Sequence, residues 1–218
     1  MDVPTMTLAP AVPTLMSADE FEAFADVPER VGHLLELVDG TIREKMPTEL
    51  HGLVASNLHG HLWNFIRFKK LIARVLPEVR YRSSSDPHNV RIPDLSLTIG
   101  RTEITSRGSV GQMPDLAIEI QSPDQSIKDM RQTARFYLAN GVKLVWLVFP
   151  ELRLIETYSA DAESILRDSD TLTGEALLPE FSVPVSEIFY DSAANDPAPS
   201  ASPASSEGTP ETPTASTK

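Results

Sequence analysis

The stretch Lys143–Phe149 (Lys-Leu-Val-Trp-Leu-Val-Phe) constrains this chain most, because after its lysine it is apolar without interruption. A short run without polar alternation is the pattern of a β-strand covered on both faces. Such a strand needs one packing layer above it and another below, which calls for a sheet flanked by other elements. The chain has 218 residues, 41% of them apolar and 23% charged, so one globular domain is the default and two are affordable. The longest apolar run, Leu144 to Pro150, falls far short of the ~20 residues that span a bilayer. No Lys or Arg precedes Arg30, so the N-terminus lacks the basic start of a secretory signal, and a cytoplasmic protein is expected. The absence of cysteine removes disulfides, thiolate nucleophiles and Cys-ligated zinc together.

The elements around that strand follow from period and punctuation. Ser17-Ala18-Asp19-Glu20 has the form of a capping box and predicts a short helix to about Ala25. Leu34–Val38 and Thr41–Glu44 read as two strands around Asp39-Gly40, a type I′ hairpin turn. From Glu49 to about Phe68 apolar residues recur every three or four positions, which predicts the longest helix. Strands are expected over Ile72–Arg82, Arg91–Ile99 and Asp115–Ser122. A helix from about Asp124 to Asn140 follows, stopped by Gly141 at C′. Leu152–Tyr158, Ser164–Arg167 and Phe181–Phe189 finish the domain.

The folding unit is expected over residues 17–191. Residues 1–16 hold three prolines and one charge and read as a flexible lead-in. Residues 192–218 hold 5 Pro, 6 Ala, 6 Ser and 4 Thr, with no apolar side chain larger than alanine, and read as a disordered tail. The net charge of −12 argues against a protein coated with positive charge. It is unevenly spread: residues 17–66 sum to −6, residues 67–143 to +5 and residues 144–191 to −8.

Two acids stand out for their placement. Leu95, Leu97 and Ile99 share one strand face and Asp94, Ser96 and Thr98 the other, while Glu119 lies on the polar side of the next strand. If the two strands are neighbours in register, Asp94 and Glu119 meet at one end of the sheet, where paired carboxylates suit a hard divalent cation. The same alternation also describes acids on a solvent face. Asp115 lies about 13 Å along its strand from Glu119, too far to share an ion with it.

Arg91-Ile92-Pro93-Asp94-Leu95 followed by Pro114-Asp115-Leu116-Ala117-Ile118-Glu119-Ile120-Gln121 resembles the PD…(D/E)-x-K signature of the PD-(D/E)XK nuclease superfamily. More specifically it resembles the Uma-type restriction endonucleases of prokaryotes. Glu36-Leu37-Val38-Asp39-Gly40, His51 at the start of the long helix, and Phe136–Val142 with Val145-Trp146-Leu147-Val148 resemble further segments of that family. The resemblance implies a mixed α/β fold with a restriction-endonuclease-like core, a central mixed sheet flanked by helices in the order helix, three strands, helix, strand, after an N-terminal hairpin. It implies that Asp94 and Glu119 bind Mg²⁺ or Mn²⁺, with the Ile120 carbonyl as a further ligand. Glu36 would support the metal from the hairpin, and His51 would act as a phosphate contact or proton shuttle.

The pattern departs at one place. Gln121 replaces the lysine of the E-x-K triplet, and the helix position of a migrated lysine holds Thr133. Lysine brings a point charge to the developing phosphorane and glutamine only hydrogen bonds. Gln121, on the face of Glu119, remains able to orient a water. The expected function is metal-dependent endonucleolytic hydrolysis of DNA. The alternative is a catalytically impaired protein on the same fold that binds nucleic acid or a protein partner. The expected DNA surface is the basic middle of the chain, with Arg67, Lys69, Lys70, Arg80, Arg82 and Arg91 as phosphate contacts. A homodimer would let two single-cut sites act on both strands.

Overall fold

Three helices begin at a hydroxyl side chain that accepts the backbone N–H three residues on: Ser17 from Glu20, Thr48 from His51 and Ser126 from Asp129. The structure, a computed structural model, describes residues 15–195. The lead-in and the tail therefore lie outside the described residues except for 15, 16 and 192–195. The elements are α1 (Ala18–Ala25), β1 (Leu35–Val38), β2 (Thr41–Glu44), α2 (Glu49–Lys69), β3 (Ala73–Pro77), β4 (Tyr81–Arg82), β5 (Val90–Arg91), β6 (Leu95–Ile99) and β7 (Leu116–Ile120). There follow α3 (Ile127–Ala139), β8 (Leu144–Phe149), β9 (Leu154–Ser159), β10 (Glu163–Arg167), β11 (Thr171–Gly174), β12 (Leu178–Pro184), α4 (Val185–Ile188) and α5 (Ser192–Asn195).

A six-stranded sheet in the order β10-β9-β8-β7-β6-β3 carries the core. Only β7 and β8 run parallel, joined through α3; the other neighbours are antiparallel. One face packs Leu95, Leu97, Ile118, Trp146 and Val148 beneath Val54, Leu58, Leu62 and Ile66 of α2. The other packs Ala117, Val145 and Leu147 beneath Met130, Ala134 and Tyr137 of α3. Strand β8 is thus buried on both faces, as its unbroken apolar run requires. None of the helices among the described residues is long and apolar enough to cross a membrane.

Two long strands expected from the sequence are each broken. Ile72–Arg82 divides into β3 and β4 around Glu78, whose φ is +52°. Arg91–Ile99 divides into β5 and β6 around Pro93, which has no N–H for a ladder. The breaks send β4 and β5 into a separate four-stranded sheet, β2-β1-β5-β4, so the hairpin docks beside the main sheet. The last segment also differs: β12 ends at Pro184 and one helical turn, α4, follows. At the hairpin turn Asp39 and Gly40 have φ of 48° and 73°, both positive as a type I′ turn needs.

The polar side of β6 and β7 does not face solvent. Asp94, Ser96, Thr98 and Glu119 are all buried, and the Tyr81 hydroxyl lies 2.8 Å from Ser96 Oγ. Polar groups buried this way must be matched by partners from other elements.

Candidate active site

Leu95 pairs with Ile118 across the antiparallel β6–β7 ladder, so the flanking Asp94 and Glu119 come side by side at its end. Both carboxylates are about 5% exposed, and each of their four oxygens has a donor. Asp94 Oδ2 accepts from the Ile120 N–H at 2.7 Å and lies 3.0 Å from His51 Nε2. Glu119 Oε1 accepts from the Tyr137 hydroxyl at 2.7 Å. The remaining two oxygens converge on one ammonium: Lys45 Nζ lies 2.5 Å from Asp94 Oδ1 and 3.0 Å from Glu119 Oε2. It also donates to the Ile92 carbonyl at 2.8 Å. Glu36 Oε1 accepts from the Ile92 N–H at 2.6 Å, which fixes that carbonyl's peptide neighbour against the hairpin.

The electrostatics are those of too few cations for too many buried acids. Burial raises Glu119, and the charges of Asp94 and Glu36 add to it, so that its carboxyl is pushed up to about 8 despite Lys45 and Tyr137. Burial pushes Asp94 the same way, but the Lys45 charge and the His51 hydrogen bond outweigh it and hold Asp94 below the usual carboxylate value. Lys45 loses solvation, yet Glu119, Asp94 and Glu36 more than compensate and raise it above an ordinary lysine. One ammonium serves both acids, and Asp94 has the better additional partners.

The structure brings four of the expected site residues together: Asp94, Glu119, His51 and Glu36. It uses His51 as a buried partner of Asp94. Ile120 reaches Asp94 through its N–H, and the backbone carbonyl at the centre is that of Ile92. The Gln121 side-chain amide is engaged elsewhere, donating to the Gln125 carbonyl at 2.8 Å in the loop before α3. Asp115 lies at the opposite end of β7, bonded to Lys143 and to the Ile99 N–H.

Lys45, a member of the cluster, is not singled out by sequence reasoning, and Tyr137 enters it only within the segment that carries the family resemblance. A signal for Lys45 existed: Glu36 pairs with Arg43 across the hairpin, and Lys45, two residues on, continues that face while its N–H bonds Leu34. Tyr137 lies one helical turn beyond Thr133 on α3, in the segment that carries the family resemblance.

Lys45 and Glu119 line a cleft of about 650 Å³ between the hairpin and α3, whose walls include Arg43, Arg91, Thr133 and Arg135. The expected DNA contacts do not gather there as one surface. Arg67, Lys69 and Lys70 sit 16 to 19 residues after His51, about 24 to 28 Å along α2. Lys69 pairs with Glu180, Arg80 with Asp26, and Arg82 with Asp19 and Glu22. Arg91 does enter the cleft wall, where it is buried, bonded to Asn89 Oδ1 and stacked 4.5 Å over the Phe136 ring. The physical reason is charge compensation: the acidic flanks of the chain fold back onto its basic middle.

The oxygens around Lys45 Nζ are two carboxylates and a carbonyl, a donor set suited to a hard cation that keeps several of its waters. Among the described residues no three acidic or histidine side chains gather closely enough to cage an ion without such waters.

Comparison with known proteins agrees with this geometry at the level of family and fold. Residues 18–186 match the sequence model of the family described as "Uma2: Putative restriction endonuclease". The fold is similar to that of "a putative nuclease belonging to DUF820 from Anabaena variabilis ATCC 29413", with a TM-score of 0.66 and 22% identity over 80% of this chain and 97% of that one. A DrdV–DNA complex is a far weaker likeness, with a TM-score of 0.29 and 12% identity over 52% of this chain and 85% of that one. No curated protein matches the chain.

Proposed function

Because the chain belongs to the Uma2 family of restriction-endonuclease-like proteins, we propose that it is a divalent-metal-dependent endodeoxyribonuclease whose centre is Asp94 and Glu119. The observation that carries the proposal is the buried convergence of these two carboxylates and a carbonyl on one cation, beside a cleft that Lys45 and Glu119 line. A bound Mg²⁺ or Mn²⁺ would polarise the phosphodiester and lower the pKa of an attacking water.

This chain's residues have distinct tasks in the reaction. Asp94 Oδ1 and Glu119 Oε2 would hold the ion, and the Glu119 carboxyl, raised to about 8, would release its proton as the ion binds. His51 and the Ile120 N–H fix the second oxygen of Asp94, and Tyr137 fixes that of Glu119, so neither carboxylate must reorganise. Glu36 keeps the Ile92 peptide in place. Hydrolysis then forms one bond from the water oxygen to phosphorus and breaks one phosphorus–ester oxygen bond. The water loses a proton and the leaving oxygen gains one.

A non-catalytic reading draws on the absence of a lysine at Gln121 and Thr133. It is weakened by Lys45, which brings a lysine ammonium to the same carboxylates from the hairpin. The test is incubation of plasmid and short duplexes with Mg²⁺ or Mn²⁺, alongside Asp94→Ala and Glu119→Ala. Wild-type protein should cleave and both variants should lose at least a hundredfold in rate. Cleavage that survives both substitutions, or no cleavage with any metal, ends the assignment.

A further inference from the structure

We infer that Lys45 is a built-in counter-ion that a divalent cation must displace, and that the displaced ammonium becomes the positive charge on the phosphate that Gln121 cannot supply. The inference rests on the nuclease reading and adds to it the residue that gates the metal.

All three ammonium protons of Lys45 have acceptors: Asp94 Oδ1, Glu119 Oε2 and the Ile92 carbonyl. Two of those oxygens belong to the side chains that would hold the ion, so lysine and metal compete for the same lone pairs. In a site this dry, a divalent ion and an ammonium sharing one carboxylate pair repel each other strongly. Lys45 is the one donor to Asp94 Oδ1 and Glu119 Oε2 among the described residues, so removing it leaves both oxygens open to an incoming ion.

The lysine has somewhere to go. It lies just past the end of β2, between the hairpin and α2, on a flexible four-carbon stem and at the cleft wall. Across the cleft, Thr133 leaves an uncharged position near Arg135. From there Lys45 keeps its proton throughout, donates a hydrogen bond to a non-bridging phosphate oxygen and neutralises the charge that develops on it.

The test measures Mn²⁺ binding by electron paramagnetic resonance of free Mn²⁺, using the full chain. Lys45→Met should bind Mn²⁺ at least tenfold more tightly than wild type while its turnover at saturating Mn²⁺ falls at least a hundredfold. Lys45→Arg, which keeps a cation, should bind near the wild-type level. A merely structural lysine would predict weaker binding in Lys45→Met, and equal or weaker binding overturns the inference. A second measurement needs no variant: lysine acylation mapped by mass spectrometry should find Lys45 protected without metal and reactive once Mg²⁺ is added. Unchanged protection at saturating Mg²⁺ also overturns it. If neither wild type nor Lys45→Met binds Mn²⁺ and neither cleaves DNA, the nuclease reading itself fails.

Discussion

Glu119 sits in an environment far removed from water. Its folded-state value of about 8 stands above the ordinary glutamate value of 4.5, so the folded protein holds this proton more tightly than the unfolded chain. The contribution of Glu119 to stability is therefore complete below pH 4.5 and is lost as pH rises through about 8. Asp94 works oppositely: its depressed value gives stability that is present above 3.8 and is lost only as pH falls below that. The window from pH 5 to 9 thus separates Glu119 from Asp94. In chelator-treated protein the melting temperature should fall across that window, and Glu119→Gln, which stays neutral, should flatten the fall by several degrees. Parallel curves for the two proteins would show that Glu119 titrates normally. At this scale the acids and His51 were legible and Lys45 was not. Strand alternation marked Asp94 and Glu119, whereas Lys45 and Tyr137 reach Glu119 from 74 and 18 residues away in sequence.

The β1–β2 hairpin is the element on which the site depends, because it supplies both Glu36 and, just beyond it, Lys45. Buried Asn89 ties it down: its Oδ1 accepts from the Asp39 N–H and from Arg91, and its Nδ2 donates to Asp39 and Asp86. The His88 carbonyl accepts from the Gly40 N–H on the same turn. Asn89→Ala removes one side of this network and leaves the Asp39 N–H without its acceptor, a loss of about 1–3 kcal/mol. Amide exchange at Asp39 and Gly40 should accelerate about tenfold or more, while the amides of β8 stay protected. Uniform acceleration across both would mean that Asn89 supports the whole fold instead of the hairpin. The hairpin itself was readable from Asp39-Gly40, since a turn with two positive φ angles declares itself in adjacent residues. Its docking was not, because the breaks at Glu78 and Pro93 that create the second sheet only matter once β1 has found β5.

Across the whole molecule, the basic middle and acidic flanks neutralise one another: Arg80 and Arg82 meet α1 and its C-cap, and Lys69 meets Glu180 in β12. Arg43 and Arg135 at the cleft make no ion pair among the described residues, and on the proposed function they and Arg91 in the cleft wall are the side chains that would meet phosphates there. Two or three phosphate contacts predict a slope of log K against log salt of about −2 to −3 for duplex binding in Ca²⁺. A slope steeper than about −6 would require a basic surface elsewhere. What the sequence determined by itself was whatever neighbouring residues encode: the helix caps, the type I′ turn, the doubly covered strand β8 and the two acids at the end of β6 and β7. The tertiary structure alone decided which charges survive as free charges and which cation sits between Asp94 and Glu119. Those outcomes depend on contacts between distant segments and on the exclusion of water around them, and neither is a property of any local stretch of chain.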